Sequence, residues 1–150
     1  MKTALLFGSS GLIGGHLLNI LILNNDYNKI KIFVRSEPKI KEKKIEIIKT
    51  DFNNLKKHIE DIKGDDCFFC IGTTKKNSPD KNEYKRVERD MPVEIAKIAK
   101  ANSVNSFAYV SSGFADPKNS GAYLRYKGEV EDELKKLNFT KLGIMRPSFL

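Results

Sequence analysis

A chain of 150 residues is one domain's worth of polypeptide, enough to bury a core and too little for two. Its 40% hydrophobic and 31% charged residues exclude the disordered class, and its longest apolar run, residues 17–23, is broken by Asn19 and far short of the roughly 20 residues of a membrane span. The net charge of +8 invites an anionic partner, but 22 of the 27 basic residues are lysines interleaved with Glu and Asp, as in Lys41-Glu42-Lys43-Lys44, which predicts a solvated surface and no nucleic-acid face.

Met1-Lys2-Thr3 leads straight into an apolar run with none of the segments of a signal peptide, so the cytoplasm is the expected compartment and no membrane partner is expected. Residues 2–7 read as a strand, Gly8-Ser9-Ser10-Gly11 as a turn, and residues 12–23 as a helix. Three further strands are expected at residues 30–34, 45–49 and 67–71. Residues 83–101 read as a helix in which Pro92 predicts a kink, or an effective start near Asp90. A strand at 107–111, a helix at 120–137 and a strand at 141–146, ended by Pro147, complete the series. The strands are continuous apolar runs, as suits strands covered on both faces. Alternating strands and helices predict an α/β fold in three α/β/α layers. The expected sheet is a doubly wound parallel one of six strands in the order 3-2-1-4-5-6, the Rossmann arrangement, with its ligand beyond the carboxyl ends of the strands.

Gly8, Gly11 and Gly14 stand three apart between the first strand and the first helix. Gly8 suits the tight turn, Gly11 lets a pyrophosphate reach the backbone, and Gly14 allows the helix to pack closely on the sheet. The helix start adds free amides and partial positive charge, so Gly8, Ser10, Gly11, Leu12, Ile13 and Gly14 are the expected phosphate contacts. At the end of the second strand, where NAD-binding chains carry an acid, this chain has Arg35. A guanidinium there would hold the extra phosphate of NADP(H), favoured over NAD(H), while Glu37 keeps the second alternative open.

Two pairs match Tyr-x-x-x-Lys, Tyr27 with Lys31 and Tyr123 with Lys127, against about 0.7 expected by chance in so lysine-rich a chain. Position separates them. Tyr27 precedes the second strand at the amino end of the sheet, where it is expected to be decoration. Tyr123 follows the fifth strand, whose end carries Ser111-Ser112. Lys127 is expected to lower the phenol's pKa so that Tyr123 exchanges a proton with a carbonyl during hydride transfer, while Ser112 orients the substrate oxygen. Cys67 and Cys70 are three apart in a strand and point to opposite faces, so neither metal nor disulfide is expected.

With the glycine segment, Cys70-Ile71-Gly72-Thr73-Thr74, Ser111-Ser112, residues 123–131 and Arg146-Pro147-Ser148, the sequence resembles the atypical short-chain dehydrogenases, in particular the Tat-interacting-protein oxidoreductase branch. The resemblance covers nearly the whole chain. It implies that Cys70, Ile71, Gly72 and Thr73 line the nicotinamide side of the cofactor, with Ser111 beside them. It also implies Asp51 and Phe52 near the adenine, and Pro147 and Ser148 near the nicotinamide ring. The implied activity is hydride transfer on a small carbonyl or alcohol, or on a sugar-nucleotide-like substrate. The alternative is a module that senses NADP(H) and contacts a protein partner without turnover. The Asn-Asn-Ala-Gly segment of many short-chain dehydrogenases is replaced by Cys70 to Thr73. Members of the branch run several dozen residues past the Arg-Pro step, so residues 1–150 are expected to be a nucleotide-binding domain without the substrate-closing extension.

Overall fold

The computed structural model describes residues 1–148. Six strands, β1 (Lys2–Phe7), β2 (Tyr27–Val34), β3 (Ile45–Lys49), β4 (Asp66–Phe69), β5 (Ser106–Val110) and β6 (Lys141–Met145), form one parallel sheet in the order β3-β2-β1-β4-β5-β6. The expected doubly wound order is thereby observed.

Alternation along the strands divides the core in two. Ala4 and Leu6 of β1 face helix α1 (Leu12–Leu23), joining Leu18, Leu21, Ile30 and Ile32. Leu5 and Phe7 face the other way, against α3 (Met91–Ala101) and α4 (Ala122–Lys136), with Phe33, Phe69, Ile95, Val130 and Leu134. Phe7 stacks on Phe33 at 4.2 Å between ring centroids and lies 6.2 Å from Phe69. Each such buried ring contributes about 1.5–3 kcal/mol. Beyond α1, the same side of β4 to β6 presents an apolar trough of about 390 Å³ lined by Ile13, Leu17, Phe68, Ala108, Val110 and Met145.

The kink expected at Pro92 takes a specific form. Helix α2 (Lys81–Lys85) starts earlier than the expected residue 83, because the Asp80 carboxylate caps it, accepting from the amides of Asn82 and Glu83 at 2.7 and 3.2 Å. A π turn (Arg86–Asp90) then joins α2 to α3. Pro92 offers no amide to Glu88, and the Met91 amide reaches back to the carbonyl of Arg86 instead, widening the turn without breaking the helix. Elsewhere the ends move by a few residues. Strand β4 stops at Phe69, not Ile71, where β1 swings away at Gly8, and β5 and β6 stop one residue short of Ser111 and Arg146.

Strand β2 begins at Tyr27, which corrects the expectation that this residue is decoration. It is buried, and its hydroxyl donates to Asp66 Oδ2 at 2.5 Å. Lys2 Nζ and Ser106 Oγ donate to the same carboxylate at 2.9 and 2.5 Å, so Asp66 ties β1, β2, β4 and β5 at the amino end of the sheet. Burial alone would raise this carboxyl, but the hydrogen bonds from Ser106, Tyr27 and Lys2 outweigh it and hold it below its ordinary value. The stability it contributes is present above the unfolded value and lost as pH falls through the depressed folded one. Asp66→Asn is therefore expected to lower the melting temperature at pH 7 and to flatten the acid limb between about pH 5 and 2, measured by thermal melts across pH.

Candidate active site

Strand β1 ends in a glycine bend whose geometry tolerates no side chain at two places. Gly8 has φ +98°, and a Cβ there would lie 2.6 Å from the Cys70 carbonyl carbon. A Cβ on Gly14 would lie 1.8 Å from the Gly8 carbonyl oxygen, so the first turn of α1 seats directly on the bend. Gly11 differs, since a Cβ there would meet nothing closer than 3.5 Å. It caps α1 in extended backbone without a side-chain hydrogen bond, and the amides of the first turn have no carbonyl of their own helix to reach. The space before Gly11 is thus open and faced by donors at the positive end of a helix dipole, which fits a pyrophosphate.

Arg35 follows β2 on the same edge, exposed and in no ion pair among the described residues. Asp51 is exposed and accepts from the Asn53 amide at 2.9 Å, whereas the ring of Phe52 is buried in the core and only its backbone is left to face a ligand. Its φ of 64° turns the chain there, and its carbonyl accepts from Arg86 at 2.7 Å.

The other expected residues gather at the carboxyl ends of β4, β5 and β6. The Gly113 amide donates to the Pro147 carbonyl at 3.0 Å, which brings Pro147 and Ser148 beside the loop that carries Ser112. The two serines separate by their partners. Ser111 Oγ donates to Glu131 Oε2 at 2.5 Å, and Arg146 binds the same buried carboxylate through Nε at 3.1 Å, with its Nη2 on Oε1. Ser112 is buried and its hydroxyl has no hydrogen-bond partner among the described residues, so it is the serine left for another molecule.

Tyr123 is 39% exposed, and Lys127 Nζ sits 5.6 Å from the centroid of its ring. Lys127 is almost wholly buried. It donates to the Val110 carbonyl at 3.2 Å and pairs with Glu88 Oε2 at 3.1 Å. Glu88 is buried too, and its other oxygen accepts from the Thr73 amide at 2.7 Å. The wide turn before Pro92 therefore carries a carboxylate that joins the segment after β4 to the lysine of α4. Glu88 was not among the residues expected from sequence. Its signal was available, since it precedes the buried Met91 and Ile95 by three and seven positions, an acid on an apolar stripe.

The expected lowering of the Tyr123 phenol is reversed. Burial and then the Glu88 carboxylate push it above its ordinary value. The lysine's charge is already matched by Glu88, so it does not act on the phenol alone. The two cysteines lie as expected, Cys67 in the core beneath α3 and α4 and Cys70 against the opposite cluster. Burial raises both thiols, Cys70 to about 11. Among the described residues no group of three His, Cys, Asp or Glu could hold a metal, and no helix is long and apolar enough to cross a membrane.

Comparison with known proteins shows the family and the fold. The model of a family described as NAD(P)H-binding matches residues 8–150. The protein HTATIP2 of Rattus norvegicus is 31% identical over 153 residues, covering 99% of this chain and 63% of its own length. The FMP52 protein of Meyerozyma guilliermondii, named mitochondrial, is 34% identical over 149 residues, covering 98% of this chain and 64% of its own. The chain thus spans less than two thirds of the length of these relatives. Among solved structures, WbmH of Bordetella bronchiseptica in complex with NAD+ superposes with a TM-score of 0.77 at 18% identity, over 96% of this chain and 55% of that one. The UDP-glucose 4-epimerase of Thermotoga maritima with UDP-glucose gives 0.78 at 14% identity, over 96% and 54%. At these identities the likeness is one of fold.

Proposed function

The chain belongs to the NAD(P)H-binding family whose model spans residues 8–150, and from that premise we propose an NADP(H)-dependent oxidoreductase of short-chain dehydrogenase type, reducing a small carbonyl through Ser112, Tyr123 and Lys127. The observation that carries the reading is the convergence, at one end of the sheet, of the glycine bend, an unengaged serine, a phenol and a buried lysine.

In this reading the pyrophosphate rests on the backbone of Gly8, Ser10, Gly11, Leu12, Ile13 and Gly14. Asp51 and the Phe52 backbone border the adenine. Cys70, Ile71, Gly72, Thr73, Ser111, Pro147 and Ser148 border the nicotinamide, which when bound supplies a hydride to the substrate carbon. Ser112 donates a hydrogen bond to the substrate oxygen and so orients it, keeping its own proton. Tyr123 is the proton donor. With its phenol held above the ordinary value by burial and Glu88, it is protonated at neutral pH, the form a carbonyl reduction needs. Lys127 faces the ring and offsets charge on the tyrosinate left behind. Glu88 acts through Lys127, keeping the ammonium in place between the Thr73 amide and the Val110 carbonyl.

Tyr123→Phe is expected to lower NADPH oxidation against a panel of aldehydes and ketones by about 10²–10⁴-fold in a protein that still melts cooperatively. Turnover at the parent rate would remove Tyr123 from the mechanism. Arg35 supports the choice of NADP(H), because a charge-assisted contact to the ribose phosphate is worth about 1.5–3 kcal/mol. Arg35→Ala should weaken NADPH by about tenfold or more and NADH by less than about twofold, measured by titration of each. Equal losses would contradict the assignment.

A further inference from the structure

A groove of about 450 Å³ lies between the segment after β4, helix α2 and the start of α4. Its cations are Lys75, Lys81 and Arg125, and no Asp or Glu lines it. None of the three forms an ion pair with a carboxylate among the described residues. Arg125 is held in place. Its guanidinium lies 5.3 Å from the centroid of the Tyr126 ring and donates from Nη1 to the carbonyls of Asn119 and Ser120 at 3.3 and 3.0 Å. Backbone and ring thus orient it, and donors remain to spare. Tyr84 and Tyr126 give the groove an aromatic side, their ring centroids 6.1 Å apart.

The groove adjoins the proton donor. Ala122 and Tyr126 line it, and Tyr123, on the neighbouring face, follows Ala122 in the first turn of α4. Three like charges without counterions in one concavity repel each other, and this cost is recovered when an anion enters.

We propose that the groove holds the anionic end, a carboxylate or phosphate, of the carbonyl substrate reduced at Tyr123, with Lys75, Lys81 and Arg125 as the specificity-determining residues. The inference rests on the reading of Ser112, Tyr123 and Lys127 given above. The reduction is balanced by that site. A hydride from NADPH adds to the carbonyl carbon, the Tyr123 proton adds to the oxygen, and the anionic group is unchanged.

The test compares 4-carboxybenzaldehyde and 4-formylphenyl phosphate with the neutral 4-formylbenzamide, following NADPH oxidation. The kcat/KM of at least one anion is expected to exceed that of the amide by about tenfold or more, and the larger ratio names the group. The ratio should fall toward one in Lys75→Ala/Lys81→Ala, fall with about 0.5 M NaCl, and persist in the control Lys97→Ala/Lys135→Ala. Equal turnover of all three aldehydes overturns the groove and leaves the oxidoreductase reading standing. If none is turned over, that reading fails instead. The groove is then judged by binding of benzoate and phenyl phosphate against benzamide to the NADPH-loaded protein, followed by ligand-detected magnetic resonance. Anion binding lost in the Lys75/Lys81 double variant supports it, and binding indifferent to charge or to the variant overturns it.

Discussion

Glu88→Ala is expected to cost about 3–5 kcal/mol of stability and to abolish carbonyl reduction, because it leaves the buried Lys127 ammonium without its counterion. The Thr73 amide would lose its acceptor at the same time. Both partners sit where water cannot replace the lost charge, so the effect is far larger than for the exposed pairs of this chain, such as Lys63 with Glu60. A second substitution separates folding from chemistry. In Glu88→Ala/Lys127→Met the unpaired charge is gone, and most of the stability should return while activity does not. Urea denaturation with NADPH oxidation on the same samples reads both. A Glu88→Ala protein with the parent's unfolding midpoint would show that the pair is not the support described here.

The second large effect distinguishes two glycines of one loop. Gly14→Ala should lower stability by about 3 kcal/mol or more, since its Cβ would be driven into the Gly8 carbonyl oxygen, backbone against backbone. In a domain of this size that corresponds to a fall in Tm of about 6–12 °C. Gly11→Ala should melt near the parent temperature, because its backbone is extended and its Cβ has room. Yet it should weaken NADPH by about tenfold or more, since the methyl group occupies the approach to the amides. Loss of stability in Gly11→Ala, or unaltered binding, would mean that the open space before it serves nothing.

Much of this architecture was legible in the sequence because the strands are short apolar runs bounded by glycines and polar loops. Helix α1 and strand β3 fall at the expected residues, and the strand order follows from alternation of elements. Boundaries moved where a single group decided them. The Asp80 cap started α2 earlier, and the missing amide of Pro92 made a π turn of what reads as a kink. Buried charge was the less legible part. Glu88 lies in the run Arg86-Val87-Glu88-Arg89-Asp90, whose other charges obscure its place on the apolar stripe of Met91 and Ile95, and Asp66 in Asp65-Asp66, which reads as a loop. Their partners, Lys127 and Tyr27, are 39 residues away in each case, and no local pattern announces such a pair. The sense of the Tyr123 shift is hidden for the same reason, since the spacing of Tyr123 and Lys127 says nothing of the Glu88 carboxylate that pairs with the lysine.

Every step of the proposed chemistry requires the amides at the start of α1 to receive the pyrophosphate of the dinucleotide. Titration of the ¹⁵N-labelled protein with NADPH tests it residue by residue. The largest amide shifts are predicted within residues 8–14, with smaller ones at Arg35 and in residues 70–73. Saturating NADPH that leaves residues 8–14 unshifted would contradict the account, whatever else in the spectrum moves.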